Sequence, residues 1–340
     1  MIYGQGHPRS MFCPVGLPGS DMDDTQLKEI IERGLFKGVM KFNEPLSSHT
    51  SLGIGGPVDI MVFPEDPLSL KNVLLVAEKE NIPLFVIGAG TNLIAPDGRI
   101  EGIAVSLKAF RSIELTQDSD ENNVVLFAGS GVPLPMLVNY ARKYGYSGIE
   151  ALAGIPGYVG GAIYMNAGSF GVEISDVIIS VSIMDPHGGI AILDKDNLGF
   201  SYRSSGLPEG SVILSANIIL RKDDPAEVER RIKEYSGRKK ASQPLGEMSA
   251  GCVFKNPVGE AAGRLIEAAG CKGMKKGGVE VSSLHANYFI NKGGATCRDF
   301  VELMEEVKEM VREHSGIVLQ PEVKLIRTGT RGQELERLHD

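Results

Sequence analysis

Gly154-Ile155-Pro156-Gly157-Tyr158-Val159-Gly160-Gly161-Ala162 runs within a few residues into Asn166-Ala167-Gly168-Ser169-Phe170-Gly171. Each glycine gives up more conformational freedom on folding than any other residue. A chain tolerates that cost where its backbone must come close to something else. A large, flat, anionic ligand is one such neighbour, and close-packed turns are the other reading.

Working toward the N-terminus, Gly88-Ala89-Gly90-Thr91-Asn92 follows the apolar run Ile82–Ile87. A dinucleotide fingerprint would need a third glycine and a helix opening on it. Pro96, Asp97 and Gly98 arrive first, so no long helix starts. No Walker A loop occurs. What remains is a nest of backbone N–H groups, with Thr91 and Asn92 as side-chain donors, that suits phosphate. An ordinary tight turn is the alternative. A third segment, His49-Thr50-Ser51-Leu52-Gly53-Ile54-Gly55-Gly56, precedes the first strand. Three separated loops of this kind suggest an extended cofactor lying across them.

Periodicity fills in the rest. Val58–Phe63, Ile82–Ile87, Ile103–Leu107, Val124–Ala128, Val177–Met184, Gly189–Leu193, Ser211–Leu220 and Val318–Ile326 read as strands. Asp23–Gly34, Leu68–Glu80, Leu134–Tyr144, Pro225–Lys240, Ala261–Ala269 and Phe300–Glu313 read as helices. Gly145, Gly270 and Gly316 stand where helices stop. Pro225–Lys240 looks like the link into a last domain. The class is α+β, with mixed sheets and short helices.

Bulk properties narrow the function. At 340 residues with a net charge of −8, the chain has room for two or three cores. It lacks the basic stripe of a general nucleic-acid binder. Its N-terminus has no charged start followed by an apolar run, so no signal peptide is expected. No apolar stretch approaches the roughly 20 residues of a membrane span. Cys13, Cys252, Cys271 and Cys297 form no C-x-x-C pair, so neither a zinc site nor a redox dithiol is expected. Reduced thiols point to the cytoplasm.

Three segments carry reactive side chains. Tyr202-Arg203 pairs a phenol with a guanidinium. Gly251-Cys252-Val253-Phe254-Lys255-Asn256-Pro257 offers a thiol, an amine and an amide. Gln320-Pro321-Glu322 sets a carboxylate at the head of the last strand. Each has a bland reading: a surface cation, a small core thiol, a solvated acid. Together they form a set of cation, acid and proton donor.

The ordered series His49-Thr50-Ser51…Ile54-Gly55-Gly56, Gly88-Ala89-Gly90-Thr91-Asn92-Leu93, Gly154-Ile155-Pro156-Gly157…Val159-Gly160-Gly161-Ala162…Asn166-Ala167-Gly168, Tyr202-Arg203…Ser205, Gly251–Pro257 and Pro321-Glu322-Val323 resembles the UDP-N-acetylenolpyruvoylglucosamine reductases. The match runs from Phe42 to Arg327. The resemblance implies an FAD-binding fold of the vanillyl-alcohol-oxidase (PCMH) type in two subdomains, residues 39–107 and 108–222. It adds a C-terminal α+β substrate domain, residues 223–327, between an extension at 1–38 and a tail at 328–340. It implies non-covalent FAD, NADPH as co-substrate, and UDP-N-acetylglucosamine enolpyruvate as substrate in peptidoglycan synthesis, in a monomer or weak oligomer.

In that family flavin N5 gives hydride to the enolpyruvyl methylene carbon, and the adjacent carbon is then protonated. Carried over, Arg203 and Glu322 stabilise the charge developing on the substrate carboxylate, and Cys252 is the general acid. Cysteine stands where many relatives have serine; its reference pKa of about 8.5 makes it the more acidic donor. The glycine-loop residues Thr50, Ile54, Gly55, Gly56, Gly88 to Leu93, Gly154 to Gly157, Val159 to Ala162 and Asn166 to Gly168 are the implied FAD contacts. Tyr202, Arg238, Lys255, Asn256, Ser282, His285 and Asn287 are the implied substrate contacts. The short link from Ser211 to Gln243 matches the subgroup without a tyrosine-bearing insertion. Gly53 departs from a larger residue common in relatives. Another FAD-dependent alcohol or hydroxyacid oxidase on the same fold, or a nucleotide-sugar binder without catalysis, is the alternative.

Overall fold

The computed structural model describes residues 33–326. Cys13, the tail at 328–340 and nearly all of the N-terminal extension, with its expected helix at 23–34, lie outside them. The first sheet is built from β1 (Gly38–Pro45), β2 (Pro57–Pro64) and β3 (Leu84–Val86). A short β4 (Leu93–Ile94) stands apart, and β5 (Ile100–Val105) completes the sheet in the order β1-β2-β5-β3. β2 pairs antiparallel with β1 and parallel with β5. A central strand is covered on both faces and reads as an apolar run rather than an alternation; Val58 to Phe63 are buried accordingly. Helix α1 (Pro67–Lys79) covers the sheet. Asp66 caps it by accepting from the Ser69 N–H at 2.7 Å, and Pro67 suits its first turn. Its Leu70, Val73, Leu74 and Ala77 stripe packs on Ile60, Val62, Ile103 and Val105.

The second unit holds β6 (Ile113–Leu115), β7 (Asn123–Gly129), helix α2 (Leu134–Tyr144) and β8 (Tyr146–Ser147). Then come helix α3 (Val159–Tyr164), a β9 (Gly168–Ser169) and β10 (Val172–Glu173) hairpin, β11 (Ile178–Met184), β12 (Ile190–Asp194) and β13 (Val212–Lys222). Its antiparallel sheet runs β12-β11-β13-β7-β6. α2 ends at Gly145, whose φ of +69° is the left-handed stop its position predicts. The glycine-rich stretch is not loop throughout: α3 and the hairpin lie inside it. Helix α4 (Pro225–Ser242) is capped by Asp224. It lays Val228 and Ile232 along the second unit, Ile232 directly on that core.

The third unit contains β14 (Ser249–Cys252), α5 (Ala262–Ala268), β15 (Lys275–Lys276), β16 (Val279–Val281), β17 (Tyr288–Asn291) and α6 (Cys297–Ser315), with sheet order β14-β17-β16-β15. The sequence reading missed this sheet, whose strands are two to four residues long. α6 begins three residues before the expected Phe300, because Thr296 and Asp299 form a capping box ahead of it. Phe254, Phe289, Phe300, Leu303 and Met304 centre its core.

The expected strand at 318–326 shrinks to β18 (Lys324–Leu325), preceded by a single bridge between Phe254 and Pro321. Pro321 brings no N–H to a ladder. β18 runs parallel to β4, so the last described segment returns to the first unit. Further stitches join these two units. Ser51 Oγ donates to Ser249 O at 2.6 Å, and Asn291 Nδ2 donates to Leu52 O at 2.9 Å. Asp97 accepts from the Cys297 and Arg298 N–H groups at the head of α6, at 2.7 and 3.3 Å.

Candidate active site

A cavity of about 1250 Å³ lies between the stitched pair of units and the second unit. That exceeds the roughly 300–1,000 Å³ of an ordinary small-molecule pocket. Residues 84–93 form one wall. Ser130, Gly154 to Tyr158, Gly160 to Ala162 and Ala167 to Ser169 form another. Arg203, Cys252, Tyr288, Glu322 and Lys239 also line it. The first two glycine loops therefore converge. The third contributes only Ser51 to the lining.

The glycines divide by what a side chain would meet. At Gly90, φ is +65° and an added Cβ would sit 2.0 Å from His49 O; at Gly56 it would sit 2.0 Å from Gly98 O. Gly55 would meet the Ala95 and Leu46 side chains, and Gly160 that of Ser130. These glycines serve the protein's own packing. At Gly88 and Gly161, both in the lining, an added Cβ would meet no atom within 4 Å. Nothing in the chain itself demands glycine there, and the space before both is open to a ligand's close approach. Ser130 adds a buried Oγ that is without a partner. Open glycines beside an orphaned hydroxyl fit a cofactor laid against the loop backbone.

Several expected cofactor residues do other work. Val159 is core. Thr50 Oγ1 donates to Ile54 O at 2.9 Å, and Asn92 Nδ2 donates to Glu322 O at 3.1 Å. Asn166 is fully buried outside the lining. Its Nδ2 donates to Glu173 Oε2 and to Ser201 O, at 2.7 and 3.1 Å. That second bond anchors the turn carrying the cation. Ser201 and Ser204 exchange both backbone hydrogen bonds, leaving Tyr202 and Arg203 at the tip. Arg203 holds a φ of +60°. A bulky residue in the left-handed region costs roughly 1–3 kcal/mol and persists where the surroundings over-determine it.

From that tip Arg203 Nε donates to Glu322 Oε1 at 2.6 Å, both side chains being largely buried. Burial, the largest influence, pulls the guanidinium down, but the Glu322 charge and hydrogen bond, with Tyr202 and Cys252, together hold the group above its usual value. Burial pushes the Glu322 carboxyl up, against the opposing pull of Arg203, Lys255 and Lys324. The carboxyl thus lies above the ordinary carboxylate range. Glu322 N donates to Val253 O at 2.7 Å, which ties it to the residue after Cys252. Burial, with the Glu322 charge, pushes the Cys252 thiol up to about 12, while the neighbouring Arg203, Tyr288 and Asn287 act the other way. The thiol therefore stays protonated at neutral pH.

The expected substrate residues spread more widely. Tyr202 is half exposed beside the Arg203 guanidinium, and its Oη accepts from the Asn256 N–H at 3.3 Å. Asn256 Oδ1 accepts from the Ala262 N–H and so caps α5. Arg238 lies over the Phe170 ring. Asn287 is buried, exchanging hydrogen bonds with the Phe254 backbone at 2.9 and 2.7 Å. Ser282 folds its own turn by accepting from Leu284 and His285, and it lines a neighbouring smaller cavity. Lys255 and His285 are half-buried and stand outside the main lining.

Ser130, Tyr288 and Lys239 are among the lining residues that escaped the sequence reading. Lys239 is 2% exposed and gives its ammonium to Ala153 O and Ala151 O, at 2.7 and 3.3 Å. Burial alone lowers it to about 8. Among the described residues no cluster of side chains suits a metal ion.

Such a cavity, with glycine backbone on one side and a guanidinium, a carboxyl and a thiol on the other, defines a flavin-dependent oxidoreductase. An FAD binding domain model matches residues 58–194, and the model for the UDP-N-acetylenolpyruvoylglucosamine reductase C-terminal domain matches residues 243–326. The UDP-N-acetylenolpyruvoylglucosamine reductase of Geotalea uraniireducens is 38% identical over 89% of this chain and 98% of its own. That of Trichlorobacter lovleyi is 40% identical over 88% and 97%. The crystal structure of the Thermus caldophilus enzyme superposes with a TM-score of 0.72 at 31% identity, covering 85% of this chain and 99% of that one. The chain belongs to the UDP-N-acetylenolpyruvoylglucosamine reductase family.

Proposed function

We propose that this chain reduces UDP-N-acetylglucosamine enolpyruvate to UDP-N-acetylmuramate with electrons from NADPH, in the cytoplasm, for peptidoglycan synthesis. The observation that carries the reading is the meeting of Arg203, Glu322 and Cys252 at one wall of a cavity whose other wall holds the ligand-facing glycines Gly88 and Gly161. Those glycines would hold FAD, with Ser130 as an added donor or acceptor, and the bound flavin would supply the hydride.

The chain's own residues then handle charge and protons. Hydride arriving at the substrate methylene drives electron density through the adjacent carbon onto the carboxylate. Arg203, fixed by its turn, offsets that charge without reorganising. Glu322, raised by burial, can share a hydrogen with the same oxygens when it takes up a proton, where a bare carboxylate would repel them. Cys252 donates its hydrogen to the carbon. Among the expected substrate residues, Tyr202 lies beside the Arg203 guanidinium and the Lys255 charge pulls on the Glu322 carboxyl. Domain limits of 39–107, 108–222 and 223–327 suit this arrangement, with α4 as an arm lying on the second core.

Two half-reactions test it. The purified protein should be yellow, bleach with NADPH under anaerobic conditions, and recolour with the enolpyruvyl UDP-sugar. Recoloration by a hydroxyacid-derived ketone instead, or an absence of flavin, would refute the assignment.

A further inference from the structure

Tyr288 enters neither the sequence motifs nor the mechanism above, yet it faces Cys252. β14 and β17 pair antiparallel, with Cys252 and Tyr288 as opposed residues. Directly opposed residues put their side chains on one face, and both of these line the cavity. The phenol is 9% exposed. Its ring is braced by His285, 4.9 Å away and nearly edge-on, and its N–H donates to His285 O at 2.9 Å. The strand register sets its phenol side by side with the Cys252 thiol on the cavity face. A phenylalanine would supply the same packing, so the hydroxyl calls for its own explanation.

We propose that Tyr288 is a positioning residue for proton transfer: its O–H, donated to the Cys252 sulfur, leaves the thiol hydrogen free for the cavity and receives the sulfur's charge once that hydrogen has gone. This rests on Cys252 being the proton donor. In the step, the S–H bond breaks and a C–H bond forms at the substrate carbon. The electron pair stays on sulfur, and water in the cavity later returns a proton to it. The groups facing that sulfur are Tyr288, Asn287, Arg203 and Glu322. Glu322 opposes a thiolate and Arg203 is already paired to Glu322. Tyr288 and Asn287 are then the donors left for the new anion, and Asn287 is also engaged with the Phe254 backbone. Burial and the neighbouring sulfur push the Tyr288 phenol above its ordinary range. It remains a hydrogen donor and does not itself ionise.

The test uses the flavin-loaded Tyr288→Phe protein in anaerobic stopped flow. A hydrogen bond to a charged group is worth about 1.5–3 kcal/mol, so flavin reoxidation by the enolpyruvyl UDP-sugar should slow about 10- to 150-fold. Flavin reduction by NADPH should stay within about twofold. The solvent deuterium effect on reoxidation should grow, and Cys252 alkylation at pH 9 should slow in parallel. In a Cys252→Ala background, Tyr288→Phe should change nothing further. Unimpaired reoxidation in Tyr288→Phe, or equal losses in both half-reactions, overturns the role of the phenol. Normal turnover by Cys252→Ala alone overturns the donor assignment beneath it.

Discussion

Two glycines separate what the protein needs from what its ligand needs. Alanine at Gly88 or Gly161 places a methyl group where no protein atom lies within 4 Å, and neither backbone is left-handed. On the protein side the change is neutral or stabilising by about 0.4–1 kcal/mol through the unfolded chain. Gly161 sits inside α3, where alanine is the better helix former. On the ligand side, an extra methyl in a close contact costs about 1–3 kcal/mol, or roughly 5- to 150-fold in affinity. Gly90→Ala is the opposite case, with its methyl driven to 2.0 Å from His49 O at a left-handed φ. The assay has two arms: FAD titration of the apoprotein by flavin fluorescence quenching, and urea unfolding of the same apoprotein. Gly88→Ala and Gly161→Ala should weaken FAD binding with the unfolding midpoint kept or raised, while Gly90→Ala should lower the midpoint. Parental FAD affinity in both of the first two variants would refute the division.

Cys252→Ser should retain measurable turnover, whereas Cys252→Ala should keep flavin reduction by NADPH and lose product formation, read by single-turnover kinetics of each half-reaction. Lys239 binds fewer protons folded than unfolded between its lowered value of about 8 and its ordinary 10.5, so its contribution to stability rises with pH across that window, by about 3 kcal/mol in all. The stability of the parent apoprotein minus that of Lys239→Met, from urea unfolding, should climb by that amount, and a flat difference would contradict it. Asp97→Ala removes the acceptor for two N–H groups at the head of α6 and should cost about 0.5–2 kcal/mol in the same assay.

The parts legible beforehand were those in which a residue type answers a backbone demand. α2 ran from Leu134 to its stop at Gly145 as read, because periodicity and a left-handed terminus agree there. The glycine loops announced a ligand because glycine's cost needs a reason. The third sheet was illegible, since strands of two to four residues leave no period to detect. Lys239 was illegible for another cause: α4 is so rich in charge that nothing marks one lysine as turned inward. Arg238, the neighbour chosen instead, lies over a ring. Tyr288 sits in an apolar strand where a tyrosine looks like filler, and only register sets it against Cys252. Gly55 and Gly56 show the converse, because a motif glycine can owe its place to neighbouring side chains, as at Gly55, or to a neighbouring carbonyl, as at Gly56.

The pairing of β18 with β4 has a bearing on biosynthesis. A chain leaving the ribosome can assemble its first two units, each with its own core, while the third is still being made. Glu322, however, arrives on the last described segment, docked against the loop that carries Asn92. A nascent or C-terminally clipped molecule can thus present the glycine walls while Arg203 still lacks its acid partner. The Arg203–Glu322 ion pair is thus among the last contacts of the cavity to form.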